Sequence, residues 1–482
     1  MTAASGMLLF SVGLPLVGAA VGTIRAHRAP ELRERGTALV WGLAAVVAAL
    51  GAGAPTEELF GLVIDGLART VGFLVAGVGL VTLLLRRGPP LQRATRALLD
   101  LVAGAGLVSF ACADELVSML VALLAVSVAR SASEDGSEGG GRQGWLGPGL
   151  VAAGVALVAA GAGATDWATV RDALHSSGVR AGLVLVGAGL AATMGLFPLV
   201  LGDERMEGTS LAHSSVAWLA AIAAFALRAA ADLSSERLAS GLVVVGGIAA
   251  GGGMALALAQ SNVKRRLAYG THALGGWLPL AMAAQMRGIE PSAGLLLAIC
   301  SHAFALGGAR ALLACFDPPG RGLEAERLGA FAGLGRRHPV LGAALVGFMA
   351  MLAGFPPSAG FWGRAGLASD LLRAQLPWAS VIVLATAWAG IPLYGRVAVA
   401  FHVREHPDPG PRPSLSRTRR GDLGLAVATG WVVALAAATL AGTWEISVGG
   451  EPDEPAQGHE VVAAPPALHG EVVQSSDGVP GR

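Results

Sequence analysis

Long apolar runs, separated by short polar or cationic loops, repeat along the whole chain. They lie near 7–24, 36–54, 61–85, 96–112, 114–129, 146–164, 180–201, 211–231, 240–260, 267–286, 292–315, 339–372, 377–401 and 421–445. About 20 helical residues cross the hydrocarbon core of a bilayer, so the pattern predicts an all-α polytopic membrane protein with about 14 transmembrane helices. The run at 339–372 contains LAGFPPSAGFWGR, from Leu352 to Arg364. Consecutive prolines remove backbone donors and break a helix. Broken helices at membrane depth survive only where protein or a water-filled cavity surrounds them. Arg364 ends the segment with a charge that is costly in lipid and is therefore expected to face the bundle interior.

The loops alternate in charge. Arg25, Arg28, Arg33 and Arg35 follow the first run, and Arg86, Arg87, Arg93 and Arg96 the third. Lys264, Arg265 and Arg266 follow the ninth, and Arg321, Arg327, Arg336 and Arg337 the eleventh. Arg404, Arg412, Arg417, Arg419 and Arg420 follow the thirteenth, whereas intervening loops such as Pro55–Glu58 lack cations. Cation-rich loops stay on the cytoplasmic side. The expected arrangement is a multi-pass protein of the cell inner (plasma) membrane with both termini outside, the first run being read as a span rather than a cleaved signal.

Composition sharpens this picture. Hydrophobic residues make up 54% of the 482 and charged residues 14%, with 70 glycines. Small residues let helices approach closely in lipid, where packing replaces the hydrophobic drive. A net charge of +1 gives a nucleic-acid partner no electrostatic support. Cys112, Cys300 and Cys315 lie in apolar runs without metal-ligand spacing and read as small core residues. No CxxC, haem or Rossmann signature is present, so no redox cofactor is expected on this chain. Gly246, Gly247 and Gly251–Gly253 follow no strand and precede no P-loop lysine, and read as helix-packing glycines. Ser131–Gly144 reads as a flexible acidic loop and Glu451–Arg482 as a disordered polar tail. Four parts result: N-terminal helices at 1–60, a transmembrane core at 61–405, a basic loop and last helix at 406–446, and the tail at 447–482.

Several segments together resemble the antiporter-like, proton-translocating membrane subunits of respiratory complex I and their Mrp-antiporter and hydrogenase relatives. They are Ser261–Trp277 (SNVKRRLAYGTHALGGW), Ala298–Leu313 (AICSHAFALGGARALL), the Leu306–Leu345 region, and LAGFPPSAGFWGR. The resemblance covers roughly residues 60 to 405; Ile391–His402 and the length are closer to the N-type subunits, and the His302 segment to the M and L types. It implies a fold of about fourteen helices with two inverted repeats, each holding a broken helix. It also implies other membrane subunits and the lipid bilayer as partners, and proton transport through midplane groups: a glutamate on the fifth helix, lysines on the seventh and eighth, and a lysine or glutamate on the twelfth.

This chain departs from that pattern. The positions matching the family's carriers are Leu124, Thr193, Trp218 to Ala220 and Leu306, with Arg364 at the twelfth-helix position. Burial and a carboxylate neighbour tune a lysine toward neutral pH. A guanidinium stays protonated and can only hold fixed charge, bond broken-helix carbonyls or repel cations. The remaining candidates are mostly histidines, whose unperturbed pKa near 6.5 suits a relay. His302 matches the family residue for residue. His213 lies where the family has a histidine at the start of helix eight, and a structural role fits it equally well. His272 is offset by two residues from the family's histidine, where this chain has Leu274. Asp65 matches the third-helix aspartate; a structural role with Arg69, four residues on, is the plainer reading. Lys264 belongs to a topology-setting cluster, Arg228 is expected to snorkel, and Arg310 and Arg396 to face neighbouring helices.

The sequence thus reads as an antiporter-like membrane subunit of a complex I-type, redox-driven proton-pumping assembly with its own carriers replaced. The alternative is a subunit of a non-redox cation/proton antiporter or inorganic-carbon uptake complex.

Overall fold

A computed structural model describes residues 57–59, 62–85, 90–133, 145–196, 214–233, 235–289, 293–314, 316–317, 327–356, 358–402 and 414–415, together with Thr37, Val40 and Leu43. The expected spans at 7–24, 36–54 and 421–445, most of the acidic loop, the tail and His213 lie outside these residues.

Helices are numbered from the first described. α1 (Gly66–Leu85), α2 (Pro90–Cys112), α3 (Leu116–Ser133), α4 (Leu146–Ala162), the short α5 (Trp167–Asp172), α6 (Ser177–Met194) and α7 (Ser215–Asp232) form the first half. α8 (Glu236–Ala259), α9 (Val263–Gly275), α10 (Trp277–Gln285), α11 (Ala293–Ala314), α12 (Leu334–Arg337), α13 (Pro339–Ala353), α14 (Ala359–Arg373) and α15 (Pro377–His402) form the second. Seven of the described helices are long and apolar enough to cross a membrane, and three shorter apolar ones accompany them.

Several sequence-predicted boundaries shift, and the run expected at 267–286 begins at Val263 and divides at Gly276 into α9 and α10. Leu62–Ile64 pairs with Glu57–Leu59 as a two-stranded hairpin, so α1 begins at Gly66 rather than near 61. A second pair joins Phe316–Asp317 to Ser414–Leu415. α3 continues to Ser133, into the expected acidic loop. The run at 180–201 does not continue as one helix: α6 stops at Met194 and Gly195 adopts a left-handed conformation (φ 67°).

α7 is the hub. Ser215 through Leu227 are buried without interruption, as befits a helix that is apolar all round. Its alanines bring neighbours close, and Trp218 and Phe225 meet Phe110 of α2 edge-on at 6.1 and 5.5 Å. Trp167 of α5 adds a tilted contact to Phe225 at 5.6 Å. Peripheral helices carry the opposite signature: Val121 of α3, Val184 of α6 and Val244 of α8 are exposed by 60% or more, as side chains facing lipid would be.

α4 and α6 pack backbone to backbone. A Cβ on Gly154 would lie 2.6 Å from the Gly182 carbonyl oxygen, and one on Gly189 2.7 Å from that of Gly147. Such approach substitutes for the hydrophobic drive that lipid does not supply.

Two local devices occur once in each half. The α6 and α13 C-termini close with paired bonds of the Schellman type: Gly195 N–H donates to Ala192 O (3.1 Å) and Leu196 N–H to Ala191 O (2.9 Å); Gly354 N–H donates to Met351 O (3.0 Å) and Phe355 N–H to Ala350 O (2.9 Å). Likewise Glu115 bridges Asp166, and Asn262 bridges Arg327. At the first bridge Asp166 caps α5, accepting from Thr169 N–H at 3.0 Å. That bond holds its carboxyl below the usual aspartate range.

Candidate functional site

The break expected from the double proline lies between α13 and α14. α13 ends at Ala353, Gly354 turns left-handed (φ 70°), Phe355 and Pro356 are exposed, and Ser358 leads into α14. Carbonyls at the end of α13 lose their helical donors there. Arg364, on the second turn of α14, folds back and donates through Nη2 to Leu352 O. Its guanidinium also lies over the Trp277 ring, 5.7 Å from the centroid. The guanidinium packs so closely on Gly354 that no Cβ could be accommodated. The positive-φ turn and the contact both require glycine here. Arg364 is therefore a fixed cation at the negative end of the α13 dipole.

Around it, α9, α11 and α15 contribute polar groups. His302 of α11 is buried, with Nε2 3.0 Å from Thr271 Oγ1 on α9. The Thr271 hydroxyl also lies 3.3 Å from Leu267 O, a second acceptor within reach of its single proton. His272, the next residue, is 3% exposed, and neither ring nitrogen has a hydrogen-bond partner among the described residues. It meets Tyr269 edge-on at 5.6 Å. Tyr394 of α15 is buried with its hydroxyl against Gly270.

The other sequence candidates take structural positions. Asp65 accepts from Ala68 N–H at 2.7 Å, capping α1, and its second oxygen lies 3.3 Å from Arg228 Nε. Arg228 does not snorkel. It reaches inward and donates to Ala111 O (2.8 Å) and Ala113 O (3.4 Å), fastening the ends of α2 and α7 to the start of α1. The carbonyls exposed where α2 ends draw it in. Lys264 is exposed and lies in the first turn of α9, not in a loop, because Asn262 caps that helix by accepting from Arg265 N–H at 3.1 Å. Its neighbour Arg266 is not a surface topology residue: it is 3% exposed and donates to Gln260 O (3.1 Å) and Leu393 O (3.3 Å).

The positions that the resemblance is expected to match with the family's carriers hold one polar side chain among them, that of Thr193. Leu124 is 38% exposed on the outer face of α3, and Trp218 and Leu306 are buried apolar residues. The Thr193 hydroxyl is used up within its own helix, donating to Gly189 O at 2.8 Å.

Sequence reasoning passed over two buried acids, Asp100 and Asp370, 1% and 6% exposed. Their signal, a carboxylate inside an apolar helix, was available. Asp370 Oδ1 lies 3.6 Å from Arg373 Nη1. Thr271 carried no such signal, since its role depends on a residue 31 positions away.

A broken helix with a half-buried cation beside it, inside a bundle of apolar helices, is the arrangement of a transporter-like membrane protein. The family described as NADH:quinone oxidoreductase/Mrp antiporter, transmembrane, matches residues 142–389, and the chain belongs to it. It is 35% identical over 172 residues to NADH-quinone oxidoreductase subunit N of Chloroflexus aggregans, which covers 35% of this chain and 34% of that protein. It is 30% identical over 312 residues to subunit N 1 of Herpetosiphon aurantiacus, covering 61% and 62%. The matches thus span about a third and about three fifths of those relatives. A chain of respiratory complex I from Thermus thermophilus superposes with a TM-score of 0.71 and 25% identity, covering 90% of this chain and 98% of that one. The Mrp complex of a Dietzia species (TM-score 0.70, 16% identity, covering 93% and 95%) shares the fold.

Proposed function

We propose that this chain is an antiporter-like membrane subunit of a complex I-type, redox-driven proton-pumping assembly, in which it seals and braces neighbouring membrane subunits and moves no protons by the family's lysine route. The observation that supports this reading is the surroundings of the residues expected at the carrier positions: Leu124 faces outward, Thr193 is bonded within its helix, and Trp218 and Leu306 are packed apolar side chains. Arg364 keeps the charge of the twelfth-helix position but not its chemistry, because a guanidinium does not release its proton. His272 and His302 supply titratable groups, and among the described residues His272 has no hydrogen-bonded partner to pass a proton on. The electron-transfer centres belong to other subunits in this reading, and the neighbours are other membrane subunits and lipid. Resemblance to both complex I and Mrp chains supports membership of a multi-subunit membrane assembly. A repeat relation between the two halves is supported by their matching helix ends at Gly195 and Gly354.

Purification through a tag on this chain from native membranes is expected to bring down further antiporter-type subunits together with a peripheral arm containing iron–sulfur and flavin proteins. Recovery of membrane subunits alone, without any redox protein, would move the chain to the non-redox antiporter or inorganic-carbon uptake reading.

The orientation is proposed with both termini outside, in the plasma membrane, from the cation-rich alternate loops. A cysteine at Ser131 or Ser414 is expected to be shielded from an impermeant thiol reagent in intact cells, and one at Ser475 to be labelled. Labelling at Ser414 from outside would reverse the topology.

A further inference from the structure

α12 closes one end of the bundle, with Leu334 and Gly335 buried and Arg336 and Arg337 exposed. Gly335 sits against Phe401 and His402 at the end of α15, and Gly333 N–H donates to Ala400 O at 3.1 Å. The chain before it is tied to the start of α9: Leu328 N–H donates to Ser261 O at 3.1 Å, and Asn262 bridges Arg327. Residues 261–266, 327–342 and 396–402 therefore meet at this end. These stretches hold seven Lys and Arg and no Asp or Glu. Lys264, Arg327, Arg336, Arg337 and Arg396 are exposed.

Apolar surface begins directly below. After Arg337, α13 exposes Pro339, Val340, Ala343, Val346 and Gly347, with Val340 79% exposed. α15 exposes Trp388, Ile391, Pro392, Arg396 and Val399. Both sets have the spacing of one helix face. The two helices run antiparallel, because Gly342 lies beside His402 and Ala353 beside Gly390. That register puts Gly347 level with Arg396. A Cβ on Gly347 or on Gly395 would meet nothing within 4 Å, so both helices are open there.

Arg396, expected from the sequence to face a neighbouring helix, instead stands on this outward stripe. The 26 residues of α15 are about 39 Å long, against a hydrocarbon core of about 30 Å. Arg396 is six residues, about 9 Å, from the end of the helix. A centred α15 thus puts it roughly 4–5 Å inside the apolar layer, with exposed Val399 between it and the helix end. A guanidinium at that depth is costly unless it reaches up to the headgroups. The group it meets there is a lipid phosphate, whose oxygens its planar fork matches two at a time. Arg336 and Arg337 at the rim add positive field, which favours a headgroup of net negative charge.

We propose that α12, the foot of α13 and the last turns of α15 form a binding site for one anionic phospholipid. Arg396 takes the phosphate, Arg336 and Arg337 select for the negative headgroup, and the acyl chains lie on the outward faces of α13 and α15. The site does not depend on whether the chain pumps.

Native mass spectrometry of the delipidated full chain, titrated with phosphatidylglycerol and with phosphatidylcholine, tests it. Both lipids carry the phosphate, but only the first has net charge. The expected result is one phosphatidylglycerol retained at least roughly five-fold more tightly than phosphatidylcholine, each cation near an anionic headgroup contributing about that factor. Arg396→Gln should lower phosphatidylglycerol affinity about five-fold, and Arg336→Gln with Arg337→Gln should lower it by five-fold or more. Arg237→Gln should change nothing: Arg237 is exposed in the first turn of α8, at the opposite end, where Arg287 joins Glu236 to the carbonyl of Ala374 before α15. Excess inorganic phosphate should not displace the lipid, because it lacks the acyl contacts. Equal retention of the two lipids would overturn the proposal. So would selectivity that survives either the Arg396 or the α12 variant, an equal loss in Arg237→Gln, or displacement by inorganic phosphate, which would mark a site for a free anion. If Arg396→Gln fails to fold, the α12 variant decides alone, and unchanged selectivity there would overturn the site.

Discussion

Arg364→Leu is expected to lower the amount of folded, assembled protein sharply, whereas Arg364→Lys should assemble. Leucine is apolar, shorter and offers no donor, so Leu352 O at the end of α13 loses the hydrogen bond it accepts from Nη2. A buried carbonyl left unsatisfied costs about 1–3 kcal/mol. The cation's stabilisation of the α13 negative end and its contact with the Trp277 ring are lost as well. Together these amount to a large fraction of ordinary folding stability, about 5–15 kcal/mol. Lysine keeps charge and a donor, though not the planar fork. The readout is the abundance of the assembled complex in membranes and the thermal midpoint of the purified complex. Equal abundance and midpoint for Arg364→Leu would mean that the cation is dispensable and that water satisfies the break.

The break between α13 and α14 could be read from the chain because Pro356 and Pro357 are adjacent and cannot continue a helix. The corresponding stop at Gly195 was missed. Gly195 with Pro198 three residues on is itself a helix-end pattern, but the run stays apolar past it, so run length alone extends the helix beyond Met194. Helix existence and type followed directly from apolar run length. Long-range ties did not. Asp65 and Arg228 are 163 residues apart, and no local spacing announces their ion pair; the nearer Arg69 was the only partner that i,i+4 reasoning could offer. Arg265 and Arg266 look alike in sequence, yet Arg266 is buried because the carbonyls of Gln260 and Leu393 converge on it. At the candidate site, the type of Arg364 and the identity of His302 were legible. The Thr271 contact and the bare ring nitrogens of His272 arise from how α9 packs on α11 and α15, which sequence alone does not encode locally.

The second large effect concerns proton movement. A working relay needs groups that titrate between about pH 5 and 9, joined by hydrogen bonds or water. On the proposed alignment Leu124, Thr193, Trp218 and Leu306 supply none, and the histidines His213, His272 and His302 are what a substitute route would have to use. His302 is bonded to a threonine whose hydroxyl also lies within reach of a backbone carbonyl. His272 has two enclosed nitrogens without hydrogen-bond partners among the described residues. A pair arranged this way holds structure more readily than it passes protons. The direct measurement is the proton-to-electron ratio of the assembled complex in sealed vesicles, with His213→Gln, His272→Gln and His302→Gln combined. An unchanged ratio, with assembly and electron transfer intact, is the predicted result; a clear fall in the ratio with electron transfer preserved would contradict it and show that a histidine and water pathway has replaced the lysines.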